Sequence, residues 1–182
     1  MTTNPIIAAT QQWLSKFVIH YAICPFAKPA FDKQSIRYRE IEGHELEQHL
    51  LELITESAYL SAHSETETSL LIFSQAYQDF DEFLDLIAIA EELMIQQGYE
   101  GIFQLASFHP DYYFAGTHQD DAENYTNRSP WPMLHIIREA SIEQVLAKFQ
   151  NPEQIPSRNI KLTQELGADY LKQLLNSCQK SD

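Results

Sequence analysis

One stretch of the chain, Phe108 to Glu139 (FHPDYYFAGTHQDDAENYTNRSPWPMLHIIRE), gathers side chains able to move protons, hold ions or close on a guest, including three of the seven histidines. His109-Pro110-Asp111 opens it. Alternation along an extended chain puts His109 and Asp111 on one side, where a carboxylate orients an imidazole for proton transfer unless Pro110 interrupts the alternation. A structural His-Asp pair tying down the loop is the alternative. Asp120 offers a second carboxylate for the same purpose. With His118 and Asp121 these groups also form an imidazole and carboxylate set of the kind zinc, iron or manganese accepts, at spacings that match no familiar closed motif. The sequence requires no cofactor; a divalent metal is the one it leaves open.

A second group follows directly. Asn124, Thr126, Asn127 and Ser129 are suited to Asx- and ST-turns that leave amides facing a guest, and Arg128 adds a planar fork for carboxylate or phosphate. An anion pocket with Tyr112 beside it is one reading. The other is that Arg128 pairs with Asp120, Asp121 or Glu123 and staples the loop. Tyr112, Tyr113, Phe114 and Trp131 either pack the loop or present a stacking surface. His135 alternates with Met133 and Ile137, opposite Leu134 and Ile136, so it is a hydrogen-bonded core histidine or a proton carrier. Cys24 ends the first helix, where the macrodipole raises a thiolate's pKa. It is a buried thiol unless folding brings His109 or Arg128 beside it, in which case it becomes a candidate nucleophile.

These groups need a scaffold, and hydrophobic spacing predicts one. Asn4-Pro5 starts a helix whose Ile6, Ile7, Trp13, Leu14, Phe17, Val18 and Tyr21 recur at helical spacing, and Pro25 stops it near Cys24. Strands are expected over 35–41, 68–74, 101–108 and 133–138, the second of them central. Helices are expected from about His44 to Ala62, from an Asp79 cap to Gly98, and from a Ser141/Gln144 capping box through Phe149. After a turn-rich connection from Asn151 to Pro156, a single closing helix carries Leu162, Leu166, Tyr170, Leu171, Leu174, Leu175 and Cys178. Two successive strand-helix-strand units imply parallel pairing. The expected fold is α/β, a mixed sheet of about four strands with the first three parallel and about five helices. An α+β two-layer sandwich is the alternative.

At 182 residues and 44% apolar content the chain suits a single globular domain over 1–182, with enough length to bury a real core. Twelve basic against 26 acidic residues, a formal charge of −14, disfavour a nucleic-acid partner or an anionic membrane surface, both of which require a positive face. No Lys or Arg occurs from Glu40 to Asn127, so the middle helices are expected to present an acidic, solvated face. The two cysteines are too few for a disulfide framework, and no signal-peptide pattern or membrane-length apolar run is present, which makes the cytoplasm the expected compartment.

FHPDYYFAG, DD…ENYTNRSP and P-x-LH-x-x-RE, with the earlier CPFAKP and the later IPSRNI, resemble the bacterial family catalogued as domain of unknown function number 1415, over nearly the whole chain. The positions that match its motifs are Cys24, Pro25, Phe108, His109, Pro110, Tyr112, Asp120, Asp121, Asn124, Thr126, Asn127, Arg128, Ser129, His135 and Arg138. His118 lies outside that pattern, which weakens any metal scheme that needs it. The resemblance implies a small soluble bacterial protein and by itself implies no reaction.

The leading expectation is an enzyme acting on a small anionic metabolite. Arg128 and the turn from Asn124 to Ser129 would bind the anion, and His109, oriented by Asp111 or Asp120, would move a proton. A non-catalytic module that holds a ligand or a protein is the rival, and a His/Asp metal-dependent enzyme the third reading. One observation separates the first two: His109, Asn127, Arg128 and His135 lining one open cleft favours the enzyme, whereas mutual satisfaction of these groups beneath a flat aromatic surface favours the module, which would hold its partner with the Tyr112–Phe114 and Trp131 aromatics.

Overall fold

The computed structural model describes residues 4–148 and 150–179. Asn4 caps the first helix as its side chain predicts, its Oδ1 accepting from the amides of Ile6 and Ile7 at 2.9 and 3.2 Å. This helix, α1 (Pro5–Trp13), runs without interruption into a π-helical stretch, Leu14–Ile19, that widens the turn between Trp13 and Ile23. The chain then reverses and forms a short helix that the sequence pattern did not reveal, α2 (Ala27–Asp32).

Three strands and the two helices between them follow close to their expected positions: β1 (Ile36–Ile41), α3 (Leu46–Ala62), β2 (Thr68–Phe73), α4 (Phe80–Gln96) and β3 (Phe103–Phe108). Asp79 caps α4 by accepting from Asp81 and Glu82 at 2.9 and 3.1 Å. The strand β4 (Met133–Arg138) leads straight into α5 (Glu139–Leu146). The expected capping box at Ser141 therefore does not form: the Glu139 amide still bonds Ile102 across the sheet edge, and the helix starts two residues before Ser141. Phe149, the expected end of that helix, lies outside the described residues.

The closing helix is two helices, α6 (Ile155–Leu166) and α7 (Ala168–Gln179), broken at Gly167. Gly167 has φ 81° and ψ 145°, a conformation essentially reserved for glycine. No atom crowds the space where a Cβ would stand, so the cost of adding one is purely conformational. Gly167→Ala is expected to lower stability by about 1–3 kcal/mol, measurable by urea unfolding.

The sheet order is β1-β2-β4-β3. β1 and β2 are parallel, with Ile36 opposite Thr68, while β4 is antiparallel to both β2 and β3. The expected parallel pairing of all three leading strands is thus not what forms. Burial explains the insertion. Met133, Leu134 and Ile136 of β4 are buried on opposite faces, which only an interior strand can satisfy. β3 carries the exposed Gln104 and takes the edge. β2, buried at every residue, is the central strand expected.

Helices cover both faces, giving three layers rather than two. Leu71, Phe73, Leu134 and Ile136 pack under α3 and α4 with Leu53, Leu60, Phe83 and Leu86. Leu70, Ile72 and Met133 pack on the other face with Trp13, Phe17, Val18 and, from α7, Leu171 and Cys178. Each such side chain contributes about 1.5–3 kcal/mol by leaving water. The acids of α3 are mostly solvated, with one exception. Glu56 is buried, paired with Arg37 at 2.6 Å and accepting from the Ser69 hydroxyl at 2.6 Å, which locks α3 to the parallel strand pair. Among the described residues no helix is long and apolar enough to cross a membrane.

Candidate functional site

The stretch after β3 is built around Asn124, which is fully buried. Its Oδ1 accepts from the Phe114 amide and the Thr117 hydroxyl at 3.1 and 2.9 Å, and its Nδ2 donates to the carbonyls of His118 and Gln119 at 2.8 and 3.3 Å. Both ends of this amide serve the loop, and none of it faces a guest. The same holds for its neighbours. Thr126 donates to the Glu123 carbonyl at 2.8 Å, Asn127 to the Ser107 carbonyl at 3.2 Å, and the buried Ser129 to the Trp131 carbonyl at 2.6 Å. The turn from Asn124 to Ser129 is therefore a self-satisfied structural knot, not the anion cradle expected from its residue types.

His109 is likewise consumed. It is fully buried, with its ring between Phe80 and Phe83 at centroid distances of 5.1 and 5.3 Å. Nε2 donates to the Tyr77 carbonyl at 2.8 Å and Nδ1 accepts from the Asp111 amide at 3.0 Å. Asp111 thus meets the ring through its backbone, and its carboxylate is exposed. Burial pushes the His109 pKa down, and with both nitrogens engaged the neutral ring has no site left for proton transfer. Tyr77 presents its carbonyl from a left-handed backbone at φ 58°, a strain this hydrogen bond helps to offset.

Arg128 donates from Nε to the Tyr112 carbonyl at 3.0 Å and from Nη2 to the Gln119 carbonyl at 2.6 Å, with its guanidinium 4.6 Å over the Tyr125 ring. It staples the loop as the alternative reading held, but through carbonyls rather than through Asp120, Asp121 or Glu123. Tyr112 packs on Phe80 and Phe114 at 5.2 and 5.0 Å, so the aromatic run fills the loop. Asp111, Asp120 and Arg128 do meet at one place, an open cleft of about 620 Å³ against α7. Asp79, Asp81 and Asp169 share it, with Lys172 the only other cation in its lining among the described residues. That surplus of carboxylates repels an anion. His118 pairs with Asp120 at 3.6 Å, both largely exposed, and among the described residues no three His, Cys, Asp or Glu side chains gather to hold a metal.

Cys24 and His135 lie elsewhere, and together. Both line a cavity of about 210 Å³ between the sheet and the helices on its α1 side. Leu70, Phe108, His135 and Ile137 form its floor, Trp13, Leu14 and Val18 one wall, Ala27, Pro29 and Ala30 of α2 another, and Ser141, Gln144 and Val145 of α5 the cover. The π-helical widening after Trp13 sets Leu14 and Val18 at the cavity. Trp13 meets Phe108 edge-on at 5.2 Å, and Phe108 in turn meets His135 at 6.2 Å. Lys33, Glu67 and Lys148 also line it. Burial raises the Cys24 thiol pKa, against the opposing pull of the Phe26 and Ala27 amides, and lowers His135 to about 4. Both groups are consequently neutral at pH 7.

Alternation correctly set His135 with Met133 and Ile137 on one face, yet the cavity itself was not readable. Its other walls come from Trp13, Ala27, Ala30, Ile36 and Thr68, whose types carry no chemical signal. Only the shared membership of Cys24, Phe108 and His135 in the motifs pointed here. No curated protein and no solved structure matches the chain. A family model described as a protein of unknown function (DUF1415) matches residues 5–173, and the chain belongs to that family.

Proposed function

We propose that the protein is a non-catalytic binding module whose ligand is a small, largely apolar, uncharged molecule held in the cavity between α1, α2, α5 and the sheet. One observation carries this reading: a solvent-accessible pocket of about 210 Å³ with a mainly apolar lining opens between the sheet and the helices on its α1 side, a concave site of the kind small molecules occupy. An apolar cavity of roughly 150 Å³ already takes up benzene, so this one suits a substituted six-membered ring or a short branched chain. The few polar groups in a mainly apolar lining match the usual composition of small-molecule sites. The thiol and the imidazole in it are held neutral, which suits an uncharged guest better than nucleophilic or acid-base chemistry. An acid-base enzyme working on an anion clamped by Arg128 has no comparable support, because His109, Asn127 and Arg128 are spent on backbone groups.

Toluene is the probe. At a free concentration of about 100 times its Kd it is expected to stabilise the fold by about 2.7 kcal/mol, raising Tm by roughly 5–10 °C. Val145→Phe, on a helix with no fully buried residue, places a ring in the cavity. It is expected to abolish the toluene shift while leaving Tm without toluene at or above the wild-type value. A toluene shift undiminished in Val145→Phe, or a wild type that responds neither to toluene nor to phenol, overturns the reading.

A further inference from the structure

The hydrogen bonds behind His135 fix which of its nitrogens carries the proton. The Thr68 hydroxyl lies 2.6 Å from the Ile136 carbonyl oxygen and 2.6 Å from Nε2 of His135. A carbonyl oxygen can only accept, and a hydroxyl has a single hydrogen. Thr68 therefore donates to Ile136, and Nε2 of His135 must donate to Thr68. That leaves Nδ1 with a bare lone pair. Among the described residues nothing donates to Nδ1, the Cys24 thiol included, and it is not one of the enclosed unpartnered atoms such as the Trp13 indole nitrogen. His135 lines the cavity, and Nδ1 is the ring nitrogen not already committed to Thr68.

Resting on the cavity reading above, we propose that the ligand is an uncharged phenol or apolar alcohol, recognised by a hydrogen bond from its hydroxyl to Nδ1 of His135. A carboxylate would set its own lone pairs against that of Nδ1, and an ether, ester or ketone has nothing to donate. A hydroxyl alone among small oxygen groups both donates and stays uncharged beside apolar walls. The device is rigid, because moving the proton to Nδ1 would leave the lone pair of Nε2 and the Ile136 carbonyl competing for the single proton of Thr68. It also selects by penalty: a guest without a donor leaves Nδ1 desolvated and unpaired.

The test is competitive binding of phenol, toluene and benzoate to the whole protein at pH 7, read by isothermal calorimetry and by the 15N chemical shifts of the His135 ring. Phenol is expected to bind at least about fivefold more tightly than toluene despite the greater hydrophobicity of the latter, and benzoate not to bind. In His135→Leu the order is expected to invert, phenol losing about tenfold and toluene changing less than about twofold. Thr68→Val, which frees the ring to choose its tautomer, is expected to shrink the phenol preference. The wild-type ring alone gives a second readout: an Nε2–H tautomer without ligand, with the Nδ1 resonance moving on phenol addition and not on toluene addition. Toluene binding as tightly as phenol, benzoate matching phenol, or an Nδ1–H tautomer overturns the hydroxyl proposal while the cavity reading stands. Failure of all three probes to bind removes both.

Discussion

Taking the protein from pH 6.5 to pH 4 is expected to cost it about 3 kcal/mol of folding stability through His135 alone. The direction follows from proton counting. An imidazole in the unfolded chain titrates near 6.5, while burial holds His135 in the fold to about 4. Below 6.5 the unfolded chain takes up a proton that the folded chain refuses, so each step down in pH favours unfolding. The contribution is complete above 6.5, is lost between 6.5 and about 4, and changes no further once the folded ring also protonates. The interval between the two values corresponds to about 3 kcal/mol. His109 and His49, whose pKa values burial also lowers, act in the same direction. Urea unfolding at a series of pH values, for wild type and for His135→Leu, isolates the term. The two slopes are expected to differ most between pH 6.5 and 4, and superimposable slopes would show that His135 titrates normally in the fold.

Asn124→Ala is expected to destabilise the fold by about 3–4 kcal/mol, although Asn124 touches no cavity. The substitution removes four hydrogen bonds at once, those to the Phe114 amide, the Thr117 hydroxyl, and the His118 and Gln119 carbonyls. Each lost hydrogen bond contributes on the order of 1 kcal/mol, more where the partner stays buried. Asn124→Asp keeps the acceptor and the shape but turns a carboxylate toward two carbonyls, so it is expected to be nearly as harmful. Equilibrium unfolding gives the magnitudes, and amide exchange at Phe114 reports whether the loop opens locally. An Asn124→Asp variant of wild-type stability would mean that shape rather than hydrogen bonding makes this position what it is.

These two residues illustrate how legible the chain is. Helix starts at Asn4 and Asp79 are written locally, since a side-chain oxygen two residues before an unsatisfied amide forms its bond whatever the rest of the fold does. The facing of His135 follows from period-2 alternation and the centrality of β2 from its continuous apolar run, both local properties. The polar stretch from Phe108 to Ser129 was conspicuous for a sound reason, because so many hydrogen-bonding groups in one loop need partners. Residue types cannot say whether those partners are a guest or the loop's own carbonyls. Asn124, Asn127 and Arg128 chose the carbonyls, and the loop closed on itself.

What the sequence determined by itself is the four strands, the helices α1, α3 and α4 with their approximate bounds, the two apolar faces of the central strands and the family. Tertiary structure alone decided the insertion of β4 between β2 and β3, the break at Gly167 and the place of the candidate site. The physical reason is range. Capping and alternation act over two to four residues, whereas strand order is settled by which strand gains most from being covered on both faces. A cavity is a deficit of packing among side chains far apart in the chain, here Trp13, Ala30, Thr68, His135 and Val145. No one of them signals that the space between them is empty.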